Sequence, residues 1–541
     1  EQQKILHKLH LHPLDKICVG KFFRNWISDD NKTVNKLTDL AFKKSGGNPL
    51  ALKEFCNIIR NRSLICKNET GLYYTDYESI KRLPVSERIV TLITEMIKDL
   101  PPGSQKILAS ASCIGAKFDS NLLASAEGIP HSQCISILKD FCSKDFLIYH
   151  KDTTYAFIHD RVQQAAYELL TPEKRRYCHM KIGNALLLTL KLNCDNSKLF
   201  ETVEQFYLAD PLWIRDKKIC KTLCPLFLNA AEKAEKTSAY SNAVKYLKLT
   251  ETMFKLIEKK RNEKFSLYFN MANCLYLDSK YEEAVETLHK AADFAETSLE
   301  HVELNTLTVG IYILITRYKE AIDVTLHTLK YLDIVVKNKD VPENIIKEKA
   351  GIDAFLKEKG PKGITSLKLC KDPLVIAVQK LLFISSHAAY FTNKFDYLQY
   401  LPLKLASLAL EYGLTVYSAY GFMIYCMILP LFHNNFDDNQ KLADIVIQMA
   451  KKFNNYSMLS GILMHYSAFY IFWHHHMKEG RDLNIQAIEY GKTGGDYINA
   501  GNAVGHIINN DIHIGNPVTD ILRNIETFTP FIKKINNITI A

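Results

Sequence analysis

The chain lacks a phosphate-binding loop. Such a loop needs a Gly-rich segment between a strand and a helix, with Lys and Ser/Thr at fixed places. The Gly491-Lys492-Thr493 run has Gln486, not Gly, five residues before Gly491. A helical pattern precedes it, and Gly494-Gly495 follow as at a helix end. No acidic strand end for magnesium is evident, so ATP hydrolysis by this chain alone is not expected. Paired cysteine spacing is also missing: thirteen Cys are scattered, which reads as reduced thiols and not a disulfide framework. Charge of one sign is scarce too. The net +9 over 541 residues is mild and dispersed, and it argues for neither nucleic acid nor a membrane. Long hydrophobic runs are few. Residues 417–432 and 456–473 carry no charge, but Gly421, Pro430 and His465 interrupt them. Both fall short of the roughly 20 residues a span needs and are expected to be buried helices. The chain begins without Met and without a signal-peptide pattern. It is expected to be a piece of a longer, cytoplasmic protein.

What is present is an ordinary globular composition, 47% apolar and 23% charged, long enough for three or four domains. The first 160 residues mix short elements with Gly and Pro punctuation. Residues 5–11 alternate like a strand, and the histidines near them have no carboxylate or Cys to complete a metal set. Helices are expected over 17–26 and 34–44. Ser45-Gly46-Gly47-Asn48-Pro49 then reads as a helix end followed by a helix that opens on proline. Residues 64–66 and 72–74 read as a hairpin. Residues 101–160 read as a winged helix: helices at 104–114, from Asp119, and at 131–141, then a hairpin of 146–148 against 155–158. Its third helix offers Ser132, Gln133, Ser136, Lys139 and Asp140, a poor basic face for a DNA groove.

The stretch Tyr155-Ala156-Phe157-Ile158-His159-Asp160-Arg161-Val162-Gln163-Gln164-Ala165-Ala166-Tyr167 joins this mixed part to a helical remainder. Its first residues alternate as a closing strand; Asp160 is expected to cap a helix with Val162, Ala165, Ala166, Leu169 and Leu170 on one face. Thr171-Pro172-Glu173 opens the next helix.

From Glu173 onward the pattern repeats. Tyr-x-x-Ala-x-x-x-Leu occurs as Tyr240/Ala243/Leu247 and Tyr281/Ala284/Leu288, with a weaker copy at Tyr318/Ala321/Thr325. Small Ala lets paired helices approach, Tyr and Leu fill the gaps, and each pair buries its apolar face only by stacking on the next. Residues 336–365 are expected to be an irregular charged excursion. Helical repeats resume over 366–541. His474-His475-His476 point in different directions on a helix and form no metal set.

The 155–167 stretch closely resembles the hinge of STAND-class signalling ATPases, nearest to the ATPase region of large multidomain serine/threonine and hybrid sensor histidine kinases. The residues 112–119, Ser-Cys-Ile-Gly-Ala-Lys-Phe-Asp, the Ser45–Leu52 turn and the region from Leu410 to Tyr425 resemble the same family. The resemblance implies a mainly α fold: a winged-helix-like module with short β-hairpins, then an α-solenoid of tetratricopeptide-like helix pairs. Residues 1–100 would be the end of an ATPase core and its lid, 101–160 the winged helix, and 161–335 the first repeats. It implies nucleotide-facing roles for Pro49, like the lid proline that packs on adenine, and for His159, like the winged-helix histidine that touches the β-phosphate of ADP. ATP or ADP would bind only together with a P-loop core outside this chain; no cofactor is expected for this chain alone. The expected partners are a protein on the repeat surface and the ATPase and kinase domains, with no nucleic acid and no membrane. No catalytic residue is expected. The alternatives are a helical-repeat scaffold without nucleotide and a transcriptional regulator of related architecture.

Overall fold

The computed structural model describes residues 12–27, 31–61, 63–67, 73–82, 89–193, 198–332, 334, 340–392, 394–432, 437–473 and 475–535. The strand expected over 5–11 lies outside them. Helices dominate, and the fold is mainly α. Two compact units divide at Ala230/Ala231, with 255–257 counted in the first.

The first unit opens with α1 (Lys16–Trp26), α2 (Asn31–Ser45), α3 (Pro49–Asn61), the hairpin β1 (Ile65–Lys67) and β2 (Tyr73–Thr75), and α4 (Tyr77–Arg82). Val19, Phe23, Leu37, Ala41, Phe55 and Ile59 form its core at helical spacing. Ile65 pairs with Thr75, one residue displaced from the expected hairpin.

There follow α5 (Ile89–Lys98), α6 (Pro102–Ile114), β3 (Lys117–Asp119), α7 (Ser120–Glu127), α8 (His131–Ser143), β4 (Leu147–Tyr149), β5 (Thr154–Phe157) and α9 (Asp160–Glu168). The three strands pair antiparallel in the order β3-β5-β4. β3 was not legible as a strand; only Phe118 of its three residues is buried. Asp119 caps α7 as expected and also accepts the Thr153 hydroxyl at 2.6 Å, which ties the hairpin tip to β3.

The next helices are α10 (Pro172–Asn193), α11 (Leu199–Ala209) and α12 (Lys217–Lys236). Cys178, Ile182, Ala185 and Leu186 of α10 pack with Cys113 and Ala126 from α6 and α7. α10 and α11 lie in the first unit, and α12 crosses its end.

The second unit continues with α13 (Tyr240–Phe254), α14 (Arg261–Leu277), α15 (Tyr281–Ala292), α16 (Ser298–Leu314), α17 (Tyr318–Tyr331), α18 (Val341–Lys359), α19 (Pro373–Phe391), α20 (Phe395–Tyr412), α21 (Ser418–Phe432), α22 (Asp437–Lys452), α23 (Tyr456–Phe469), α24 (Met477–Gly494), α25 (Tyr497–Ile514) and α26 (Val518–Ile535). Most successive helices pack on one another, the solenoid arrangement in which each repeat is stabilised by its neighbour. Ala243, Ala284 and Ala321 are fully buried, and Leu247, Leu288 and Thr325 nearly so. One turn recurs. Ser238, Ser279, Thr316, Asn454 and Gly495 all have positive φ, and two residues after each, a tyrosine opens the next helix. In four of these turns the intervening backbone N–H reaches back five residues to a carbonyl at 2.7–2.9 Å, which closes the helix end as a Schellman motif does.

The charged excursion expected over 336–365, as a loop or a helical one, is helical over most of its described residues. It contains α18, with Pro342 in its first turn and Gly360 at φ 67° as its stop. Val341, Ile345 and Ile352 bury one face, and α18 packs on α20 while α16 meets α19 directly. Lys404 Nζ meets Glu348 at 2.9 Å and the Tyr425 hydroxyl bonds Asp353. The charges of α18 thus lie partly against the stack. The uncharged runs 417–432 and 456–473 contain α21 and α23, whose described residues are mostly buried. Among the described residues one helix, α19, is long and apolar enough to cross a membrane, and half of it is buried inside the unit.

Candidate functional site

The turn before Pro49 is fixed by backbone contacts. α2 ends at Ser45; Gly46 and Gly47 follow at φ 57° and 77°. The Gly47 N–H donates to Ser45 Oγ at 3.2 Å, and Gly47 O accepts the Leu14 N–H at 2.7 Å. A Cβ on Gly47 would lie 2.2 Å from Leu14 O, so only glycine fits this approach. Pro49 then begins α3, where its missing N–H is no loss. It is exposed and lines a groove of about 590 Å³ with Leu14, Phe22, Trp26, Leu52 and Cys56. Lys53 and Arg60 supply positive charge, and Lys53 pairs with Asp145 at 3.3 Å. Burial pushes the Cys56 thiol up to about 12; it is inert at neutral pH.

His159 stands at the end of the β5 segment, where Ile158 N–H donates to Phe146 O at 3.1 Å. His159, not Asp160, caps α9: its Nδ1 accepts the Arg161 N–H at 3.1 Å. Nδ1 also touches the Asp160 carboxylate. The two contacts require opposite protonation of one nitrogen. With Nδ1 accepting from Arg161 the ring proton sits on Nε2, and with Nδ1 donating to Asp160 Nε2 is bare; the side chain is 41% exposed. His159 is not among the residues that line the Pro49 groove. Asp145, the partner of Lys53 in that groove, is the residue before Phe146, whose carbonyl accepts the Ile158 N–H beside His159.

The structure adds residues that sequence reasoning missed. Tyr167, in the hinge stretch, lies 3.2 Å from His179 Nε2; His179 Nδ1 lies 2.8 Å from Gln205 Oε1; Gln205 Nε2 donates to Cys113 O at 3.1 Å. The last bond fixes the amide, and the rest follows: Gln205 Oε1 accepts from Nδ1–H, and Nε2 accepts from the tyrosine hydroxyl. Burial lowers the His179 pKa, so the ring is neutral in this relay. Gln163 donates to Ser112 O at 3.1 Å, and the Arg175 guanidinium lies 4.5 Å from the Tyr167 ring. α9 is thereby bonded to α6, α10 and, through His179, α11. Beside it Glu127, with its side chain 1% exposed, accepts from Ser110 Oγ at 2.6 Å, faces Lys106 Nζ at 2.9 Å and contacts Lys181 Nζ. Residues 54 positions apart meet here, a pairing that no local pattern reveals.

Among the described residues no group of three His, Cys, Asp or Glu could hold a metal ion. Of the three adjacent histidines, His474 lies outside the described residues. His475 pairs with Glu479 at 3.1 Å, and His476 caps α24. Gly491-Lys492-Thr493 lies in the last turns of that helix.

No family model matches the chain. It is similar to hybrid signal transduction histidine kinase G of Dictyostelium discoideum, with 20% identity over 581 residues that cover 91% of this chain. The chain spans 17% of the length of that kinase. Among solved structures it is similar to a Signal Transduction ATPase with Numerous Domains (STAND) protein with a tetratricopeptide repeat sensor from Pyrococcus horikoshii. That similarity is 12% in identity and covers 97% of this chain and 73% of the other, with a TM-score of 0.38.

Proposed function

We propose that this chain is the regulatory and protein-interaction segment of a STAND-type signalling ATPase or kinase, acting in a phosphorelay or protein-kinase pathway. The observation that carries the reading is the similarity to a hybrid signal transduction histidine kinase along nearly the whole chain. The order helix, strand, two helices, hairpin over 102–157, with β5 central in the sheet, supports residues 101–160 as a winged-helix module. The Pro49 groove, with aromatic walls and two cations, suits an aromatic anion such as a nucleotide held by an ATPase core. His159 would offer Nε2–H to a phosphate oxygen at the start of α9, where the helix dipole favours negative charge. The Tyr167–His179–Gln205 relay would carry a change at the cap into α10 and α11. The repeat helices would bind a protein partner.

The test is His159→Ala in the full-length protein. Loss of a hydrogen bond to a charged group, about 1.5–3 kcal/mol, weakens ADP binding about tenfold or more and raises basal signalling. Unchanged ADP affinity together with unchanged basal output refutes the nucleotide role. That result would select the alternative, a repeat scaffold without nucleotide.

A further inference from the structure

A cavity of about 480 Å³ opens within the second unit, lined from α19, α20, α21, α23 and α25. Its volume is that of a small-molecule site. Among the described residues no Lys, Arg, Asp or Glu lines it, so a charged ligand would lose its hydration without a counter-charge. The walls are apolar and aromatic, and His387, His465 and His506 enter from α19, α23 and α25. A chain of rings joins them. His387 stacks on Tyr420 at 5.9 Å, Tyr420 meets His465 edge-on at 5.4 Å, and Phe469 lies 6.0 Å from His465 and 5.7 Å from His506.

The protons on these rings can be assigned. His387 Nδ1 lies 3.2 Å from Phe383 O, and His465 Nδ1 lies 2.7 Å from Gly461 O. A carbonyl only accepts, so each Nδ1 carries the proton. In a neutral ring Nε2 is then a bare acceptor, on the edge turned away from its own helix. Burial lowers all three histidine pKa values, that of His465 to about 4, so the rings are neutral near pH 7. Among the described residues no hydrogen bond engages the ring nitrogens of His506 or the side-chain amides of Gln399 and Asn502, which also line the cavity. Packing histidines in a core are ordinarily satisfied. Here, among the described residues, no protein hydrogen bond reaches Nε2 of His387 or His465, and the amides of Gln399 and Asn502 share the same cavity.

We propose that this cavity is a binding site for a small neutral molecule with an aromatic or otherwise apolar body and one or more hydroxyl or amine donors. The donors go to Nε2 of His387 and His465 and to the His506 ring; the body packs on Tyr420 and Phe469. The site is a chemical input on the repeat unit, independent of any nucleotide at the other.

The experiment titrates the purified chain at pH 7.5 with 2-naphthol and, separately, with 2-methoxynaphthalene, which keeps the rings and lacks the donor. The expected result is saturable one-to-one uptake of 2-naphthol and at least tenfold weaker uptake of the ether. Asn502→Trp, which fills the cavity, abolishes binding. His506→Phe, which keeps the ring contact with Phe469, weakens it severalfold; both variants are checked for wild-type unfolding curves. Absence of saturable 2-naphthol binding, equal affinity for the two probes, or unchanged affinity in a folded variant overturns the proposal. The two-probe comparison needs no variant, so a misfolded mutant does not rescue it.

Discussion

Glu127→Gln removes one charge and keeps the side-chain shape at the point where α7 meets α6 and α10. The native carboxylate is 1% exposed. Burial pushes its pKa up, but Lys181, Ser110 and Lys106 together pull it below the ordinary 4.5. Breaking a buried ion pair by removing one partner costs about 3–5 kcal/mol, because the other charge is left uncompensated. The two lysines share that cost unequally. Lys106 is 64% exposed and can turn to water; Lys181 is 19% exposed and cannot do so fully. The amide still accepts from Ser110. The expected loss is therefore at the lower end, about 3 kcal/mol. Urea unfolding followed by tryptophan fluorescence measures it, since Trp26 and Trp213 both lie in the first unit. The sign with pH follows from the lowered pKa. The carboxylate stabilises fully above 4.5, and its contribution is lost as pH falls through the folded value; the variant lacks this part of the acid dependence. The double variant Glu127→Leu with Lys181→Met leaves no stranded buried charge and should recover most of the loss. A loss below about 1 kcal/mol for the single variant, or no recovery in the double, refutes the reasoning.

His179 titrates in the same direction for a different reason. Burial holds its folded pKa below 6.5, so stability is whole above 6.5 and declines as pH falls through the folded value; His179→Phe should flatten this slope between pH 7.5 and 5, and a persisting slope would assign it elsewhere. Gly47→Ala should destabilise α1–α3 by more than about 2 kcal/mol, through the clash with Leu14 O on top of the left-handed backbone. Gly46→Ala, with open space around it, should cost about 1 kcal/mol; equal costs in thermal unfolding would show that the clash relaxes. Gly421→Ala would place its Cβ 2.6 Å from Leu405 Cδ2 and 2.8 Å from Pro402 O, forcing α20 and α21 apart at about 1–3 kcal/mol. A variant as stable as the parent in urea would contradict the close approach.

What could be read from the sequence was local, and what could not was a meeting of distant residues. The Pro49 turn was legible because Gly46 and Gly47 carry their own backbone signal. The repeats were legible because Ala243 and Ala284 recur beside tyrosines at fixed spacing. The shared αL turn before those tyrosines was hidden because Ser238, Ser279 and Thr316 are not residues that announce positive φ. α18 was left between loop and helix for a related reason: buried positions 341, 345 and 352 are diluted by lysines and glutamates, some of which pair with the stack. Long-range meetings left no trace at all. Glu127 finds Lys181 only when α10 folds back on α7. The histidines show the contrast most clearly. His474-His475-His476 draw attention because they are adjacent, yet the described pair are a surface ion-pair partner and a helix cap. His387, His465 and His506 stand far apart in sequence and line one cavity. Stacking successive helices brings residues one or more repeats apart onto a common surface. In a solenoid, then, a set of like side chains on separate helices is a better pointer to a site than a run of them on one.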